Sequence, residues 1–226
     1  MRSIVICWTA FNSFSLYKDH RELSEQWIKK RYAIWKKYTL KSILGQTTKG
    51  FMYFVVCNKK AKAITDKVFL PVTSEHKNVV LVYRDEKTRE LVSAINKKYG
   101  SVYAVRVDSD DMYSNETFGY ILKNFPAGRR YAYFRIGYGY DTKTGRVWHY
   151  DSIGSSPFFV ERFCGNYNVI MTPHHKIKRL GGVEFGSNNF MVTVNGTNSS
   201  TRLNKKYFKK EITGLQKIAA MRRFAI

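Results

Sequence analysis

The sequence predicts a three-layer α/β/α fold with a mixed, mostly parallel central sheet. Short β-branched runs alternate with longer helical periods over the first hundred residues, the order that parallel strands with crossover helices require. The second half carries hairpin signals instead, so a small antiparallel part is expected at the C-terminal end. At 226 residues the chain is long enough for one sizeable core.

Each element follows from local pattern. Ile4 to Trp8 is apolar and β-branched and reads as the first strand. From Glu22 to Leu44, Leu23, Trp27, Ile34, Tyr38 and Ile43 recur on a helical period with lysines on the other side, and Gly45 is a stop signal. Phe51 to Cys57 is a second strand. A Lys- and Ala-rich segment follows it, and then a third strand from Asn78 to Tyr83. Asp85 to Tyr99 has Leu91, Val92, Ile95 and Tyr99 on one side and Gly100 at its end, and reads as a helix. Ser101 to Val107 alternates as a strand. Ser114 to Asn124 forms a short helix that Ser114 can cap, ended by Pro126. The runs 131–140 and 146–150 flank a turn-rich Asp141 to Gly145 and predict a hairpin. No repeat or linker divides the chain, so residues 1–202 read as one domain and 203–226 as a basic, helical tail packed on it or extending from it.

Charge restricts the partners. Thirty-nine Lys and Arg against seventeen Asp and Glu give +22 and a sequence pI near 9.9. The excess is concentrated in Lys29 to Lys49 and Arg202 to Arg223. Such a surface attracts polyanions such as nucleic acid, an anionic glycan or an acidic membrane surface, although solubility alone would also account for it. No apolar run approaches the length of a membrane span, and the first residues lack the flanks of a secretory signal. Cys7, Cys57 and Cys164 are odd in number and scattered, as in a cytoplasmic protein with reduced, buried thiols.

The strand from Ser101 stops on three carboxylates, Asp108, Asp110 and Asp111. Carboxylates this close raise one another's pKa unless a positive charge sits among them, and hard oxygen ligands suit Mg2+ or Mn2+. In an open α/β sheet, ligands bind at such carboxyl ends. On an extended strand Asp108 and Asp110 would lie roughly 7 Å apart on one face, so both chelate one ion only if the chain turns. The alternative is a run of acids capping the following helix.

Several segments, in order, resemble the rhamnosyltransferase family, glycosyltransferases of bacterial and phage type with the nucleotide-diphospho-sugar (GT-A) fold. They are Phe11-Asn12, Arg31-Tyr-Ala-Ile-Trp, Tyr38-Thr-Leu-Lys-Ser-Ile, Arg106-Val-Asp-Ser-Asp-Asp, Gly139-Tyr-Asp-Thr-Lys-Thr-Gly, Ser156-Pro-Phe-Phe-Val-Glu and Asn195-Gly-Thr-Asn198. The similarity spans about residues 4 to 202. It implies a metal-dependent enzyme whose Asp-x-Asp element, at Asp108 to Asp111, holds Mn2+ or Mg2+ against the diphosphate of a nucleotide-sugar donor. Phe11, Asn12, Arg106, Asp108 and Arg135 then belong to the donor site. His174 and His175 stand near a family histidine, and a surface pair is the alternative reading. Asn195 replaces another family histidine, and its amide oxygen can still bind a hard cation. For the base that deprotonates the acceptor hydroxyl, Glu161 is the first candidate and Glu184 the second. A surface acid, solvated or paired with Arg162, is the alternative for either.

The acceptor expected is anionic: DNA carrying hydroxylated bases, as in phage DNA modification, or an anionic cell-surface glycan. Tyr131, Tyr133, Tyr138, Tyr140, Trp148 and Tyr150 can stack on bases or sugars, or form strand core. The tail from Asn204 can form a basic helix against a polymer or an acidic membrane. The alternative function is a non-catalytic polyanion-binding protein on a degenerate transferase scaffold. For either function the expected location is the cytoplasm of a bacterium or phage-infected cell.

Overall fold

A computed structural model describes residues 3–13, 19–83, 86–153, 156–163, 172–196 and 203–226. Asp85, Cys164, Asn198 and Arg202 lie outside the described residues. The chain runs β1 (Ser3–Ala10), α1 (Glu25–Trp35), α2 (Lys41–Leu44), β2 (Met52–Val56), α3 (Lys62–Glu75), β3 (Val79–Val82), α4 (Glu86–Lys98), β4 (Ser101–Arg106), β5 (Met112–Tyr113) and α5 (Thr117–Asn124). It continues through β6 (Tyr131–Tyr133), β7 (Ile136–Asp141), β8 (Val147–Asp151), β9 (Phe159–Phe163), β10 (Val183–Glu184), β11 (Ser187–Val194), β12 (Phe208–Ile212) and α6 (Gly214–Arg223).

The expected mixed, mostly parallel central sheet is present. Seven strands stand in the order β10-β6-β9-β4-β1-β2-β3, and β1 is parallel to both β2 and β4. β9 enters antiparallel between β4 and β6. On one face α4 contributes Val92 and Ile95 to a core with Ile4, Ile6, Trp8 and Phe54. The opposite face packs Val5, Cys7, Tyr53 and Val55 against Ile28 and Trp35 of α1, Phe69 of α3 and Phe118 of α5. Both described cysteines, Cys7 and Cys57, are free and buried, and burial pushes their thiol pKa values up.

The C-terminal part is larger than its sequence signals suggest, and it is mixed where an antiparallel arrangement was expected. Five strands, β12-β8-β7-β11-β5, make a second sheet, with the antiparallel β7–β8 hairpin where the turn residues predict it and β11 parallel to β7. Its inner face adds Trp148, Phe190, Val192 and Phe208 to the main core. The tail differs from expectation. Its first half is strand β12, antiparallel to β8, and only residues from Gly214 onward are helical. A bulge between Phe208 and Glu211 lets Phe208 join the main core while Ile212 faces α6, which a regular helix could not arrange.

The first long helix is interrupted. α1 is capped by Ser24, whose Oγ accepts the Trp27 amide at 3.3 Å. Between Lys36 and Leu40 it widens into a π-helical turn, continues as α2 and closes at Gly45. An extra residue in one turn rotates the helix beyond it. Ile28, Trp35, Tyr38, Leu40 and Ile43 are therefore the buried stripe, Trp27 and Ile34 lie at its margin, and the polar Thr39 and Ser42 also face inward. Among the described residues no helix is long and apolar enough to cross a membrane.

Candidate active site at the end of the fourth strand

β4 leaves the central sheet at Arg106, and the chain turns before entering the second sheet as β5. The Asp111 amide donates to the Asp108 carbonyl at 3.1 Å, closing a turn that gathers the three acids. The turn is held from both sides. From the first long helix, Thr39 Oγ1 donates to the Asp108 carbonyl at 3.4 Å, and Ser42 Oγ accepts the Tyr113 amide at 3.3 Å. From β11, the Thr193 amide donates to Asp111 Oδ1 and Thr193 Oγ1 to the Asp110 carbonyl, both at 2.8 Å. Thr39 of the π-helical segment and Ser42 of α2 thus position the turn that follows β4.

The positive charge demanded by the acids comes from the chain itself. Arg31 of α1 places Nη2 2.9 Å from Asp110 Oδ1 and donates from Nε to Ser109 Oγ at 2.8 Å. That guanidinium is 14% exposed and the Asp110 side chain 6%. Arg106 Nη2 lies 3.0 Å from Oδ1 of Asp108, the outermost acid at 40% exposure. Asn195, from the end of β11, donates to the other Asp110 oxygen at 3.1 Å. Burial raises the Asp110 pKa, with Arg31 opposing and Asp108 adding to the shift. Asp111 is pushed well above the usual carboxylate range by burial and by the charges of Asp110 and Asp108. The acids do not cap a helix: α5 begins at Thr117, after β5.

As arranged, these residues do not fit a divalent cation. Both Asp110 oxygens and Asp111 Oδ1 already accept hydrogen bonds, and Asp108 holds Arg106. Among the described residues, no three His, Cys, Asp or Glu side chains are placed to hold a metal ion. Of the metal set expected from sequence, Asp108, Asp110, Asp111 and Asn195 do converge. His174 stands near them: burial lowers its pKa, and Arg106 lowers it further against the opposing charge of Asp108. His175 is exposed and meets His174 edge to face.

The donor and base candidates separate. Phe11 is core, packed on Trp27 and Phe69. Asn12 is a buried clamp that donates to the Glu22 carbonyl and accepts the Asn58 amide at 2.8 Å. Glu161 is opposite Ala104 in mid-strand, four residues short of Asp108, or roughly 13 Å along the strand at 3.3 Å per residue. Its side chain is fully buried and held by Arg130 and Tyr131, not by Arg162. Glu184 lies at the same carboxyl rim as β4, because β9 and β6 carry that edge across to β10. There Arg135 grips Asp151 through two bonds of 2.9 Å and stands 3.7 Å from Glu184, which is 45% exposed. The geometry therefore ranks Glu184 above Glu161 as a group that substrate can reach.

Sequence reading missed Arg31 as a site residue. Its signal was present: it is the single arginine among the six cationic residues from Glu25 to Leu44. Arginine is the residue suited to a buried, two-point contact. Thr193 and Asp151 carried no such signal. The aromatic run is mainly strand core, with Tyr131, Tyr133, Tyr138 and Trp148 all buried.

No protein-family model matches the chain, and no curated protein matches it. Among solved structures it is similar to a protein from Desulfovibrio desulfuricans G20 assigned as a nucleotide-diphospho-sugar transferase, at 8% identity and a TM-score of 0.40, covering 97% of this chain and 94% of that one. It is also similar to the inositol-1-phosphate CTP transferase of T. maritima, at 11% identity and a TM-score of 0.35, covering 91% and 93% of the two chains.

Proposed function

We propose that the chain is a glycosyltransferase of the GT-A type that binds a nucleotide-diphospho-sugar at the carboxyl rim of β4 and passes the sugar to a hydroxyl of an anionic acceptor. The observation that carries this reading is the convergence of Arg31, Arg106, Asp108, Asp110, Asp111 and Asn195 on the turn between the two sheets. Guanidinium groups suit the diphosphate, which they can grip through paired N–H donors. Exposed carboxylate at the rim, at Asp108, suits hydroxyl groups of ribose or sugar. In the transfer, the acceptor oxygen bonds to the anomeric carbon as the bond from that carbon to the phosphate oxygen breaks. The bonding pair leaves on the diphosphate, and the hydroxyl proton passes to a carboxylate, for which Glu184 is the candidate.

The charge of +22 favours an acceptor that is itself a polyanion, with DNA bearing hydroxylated bases and an anionic cell-surface glycan as the leading classes. It equally favours the second reading, binding of nucleic acid without catalysis. The test is to incubate the protein with a panel of nucleoside-diphosphate sugars, with and without DNA or anionic glycan, and to measure free nucleoside diphosphate. Acceptor-stimulated release that Asp110→Ala abolishes supports the transferase. No release with any donor, together with salt-sensitive DNA binding that Asp110→Ala leaves intact, refutes it.

A further inference from the structure

We infer that the cation belonging to the acid turn is the guanidinium of Arg31, not a divalent metal, and that Arg31 with Arg106 neutralises the donor diphosphate. The inference rests on the transferase reading and specifies its chemistry. Three carboxylates within four residues require a positive counterpart, and two of them are buried. Arg31 fills that place from another element, α1, and is fixed at two points by Asp110 and Ser109. Its planar fork has five N–H donors, so two bonds leave others for a phosphate oxygen. Arg106, on the strand that ends in the turn, uses Nη2 on Asp108, while its Nε is buried without a hydrogen-bond partner. Two oriented guanidinium groups thus flank one turn.

A hard dication needs about six oxygen ligands, at about 2.1 Å for Mg2+. Here Asp110 is committed to Arg31 and Asn195, and Asp111 Oδ1 to the Thr193 amide. To enter, the ion would have to displace Arg31 from Asp110 and then stand beside an unpaired guanidinium. The acids therefore orient Arg31 and Arg106, and the arginines meet the leaving group.

The experiment titrates Mn2+ into the full chain, following the free-ion paramagnetic resonance signal, and separately titrates UDP, for wild type, Arg31→Lys, Arg31→Met and Asp110→Asn. Expected is no Mn2+ binding tighter than millimolar in the wild type and turnover unchanged by EDTA. Arg31→Met releases Asp110 and binds Mn2+ about 10-fold or more tighter, while UDP affinity falls about 10-fold or more for the lost charged hydrogen bonds. Arg31→Lys keeps a charge on Asp110, so it still excludes Mn2+ but loses part of the UDP affinity. Micromolar Mn2+ binding by the wild type that Asp110→Asn removes, or turnover abolished by EDTA and restored by Mn2+, overturns the inference. If Arg31→Met does not fold, the wild type and Arg31→Lys titrations decide the same question. A protein that turns over no donor defeats the transferase reading, while the Mn2+ titration still reports which cation the acids hold.

Discussion

Replacing Arg130 by Met tests whether Glu161 serves the fold or the chemistry. The Glu161 side chain is 0% exposed in the middle of β9, between β4 and β6. One oxygen accepts from Arg130 Nε at 3.0 Å, from Arg130 Nη2 at 2.7 Å and from the Tyr131 hydroxyl at 3.1 Å, while Oε2 is buried without a hydrogen-bond partner. Breaking a buried pair by removing one partner typically costs about 3–5 kcal/mol. Arg130 is 51% exposed, so water can enter the space it leaves and reduce that cost. The expected loss is about 2–3 kcal/mol, or about 4–12 °C in melting temperature for a chain of this size.

Met also removes the Arg130 guanidinium from its place 5.1 Å over the Tyr131 ring. The double variant isolates the ion pair from that loss. Glu161→Gln keeps the shape without the charge, so Arg130→Met combined with Glu161→Gln should be more stable than Arg130→Met alone. Urea and thermal unfolding read all four proteins. An Arg130→Met stability within about 0.5 kcal/mol of wild type, the range of a neutral surface change, would refute a structural role for the pair. So would a Glu161→Gln variant that keeps wild-type stability but loses turnover by about 100-fold, the mark of a general base.

Glu184→Gln should lower kcat about 100-fold or more with little change in donor KM, as loss of a proton acceptor does; an unchanged kcat removes Glu184 from that role. Folding raises the Asp111 pKa, chiefly through burial, so the stability tied to its protonated form is complete below the ordinary carboxylate range and is lost as pH rises through the raised value. Asp111→Asn, whose side-chain oxygen can still accept the Thr193 amide, should therefore be more stable than wild type at pH 7.5 in EDTA. That advantage should shrink toward pH 4, and urea unfolding that shows a constant difference or a loss contradicts this. At Gly139 a Cβ would clash with Cε1 at the edge of the Phe208 ring, so Gly139→Ala should cost about 1–3 kcal/mol by overpacking. A neutral result in thermal unfolding would mean that Phe208 of β12 does not dock over β7 in solution.

Much of the fold was legible because its signals are local. The β-branched runs of β1, β2, β3 and β4, the stop at Gly45 and the turn from Asp141 to Gly145 all express backbone preference and burial in neighbouring residues. α3 was less legible because Lys and Ala dilute its apolar period and Pro71 interrupts it. The tail misled because its strand character depends on an edge supplied by β8, about sixty residues earlier.

The sequence by itself determined that three acids end a strand in a chain otherwise poor in acids, and that a positive charge must accompany them. Which charge accompanies them was decided only by tertiary structure. Electrostatics requires a cation but does not say whose, and α1 brings Arg31 to Asp110 from 79 positions away in the chain. The same holds for the two glutamates. Each is an acid near apolar residues in sequence, but only sheet order places Glu184 at the carboxyl rim and Glu161 in mid-strand, because strand direction determines which end of each strand faces the site.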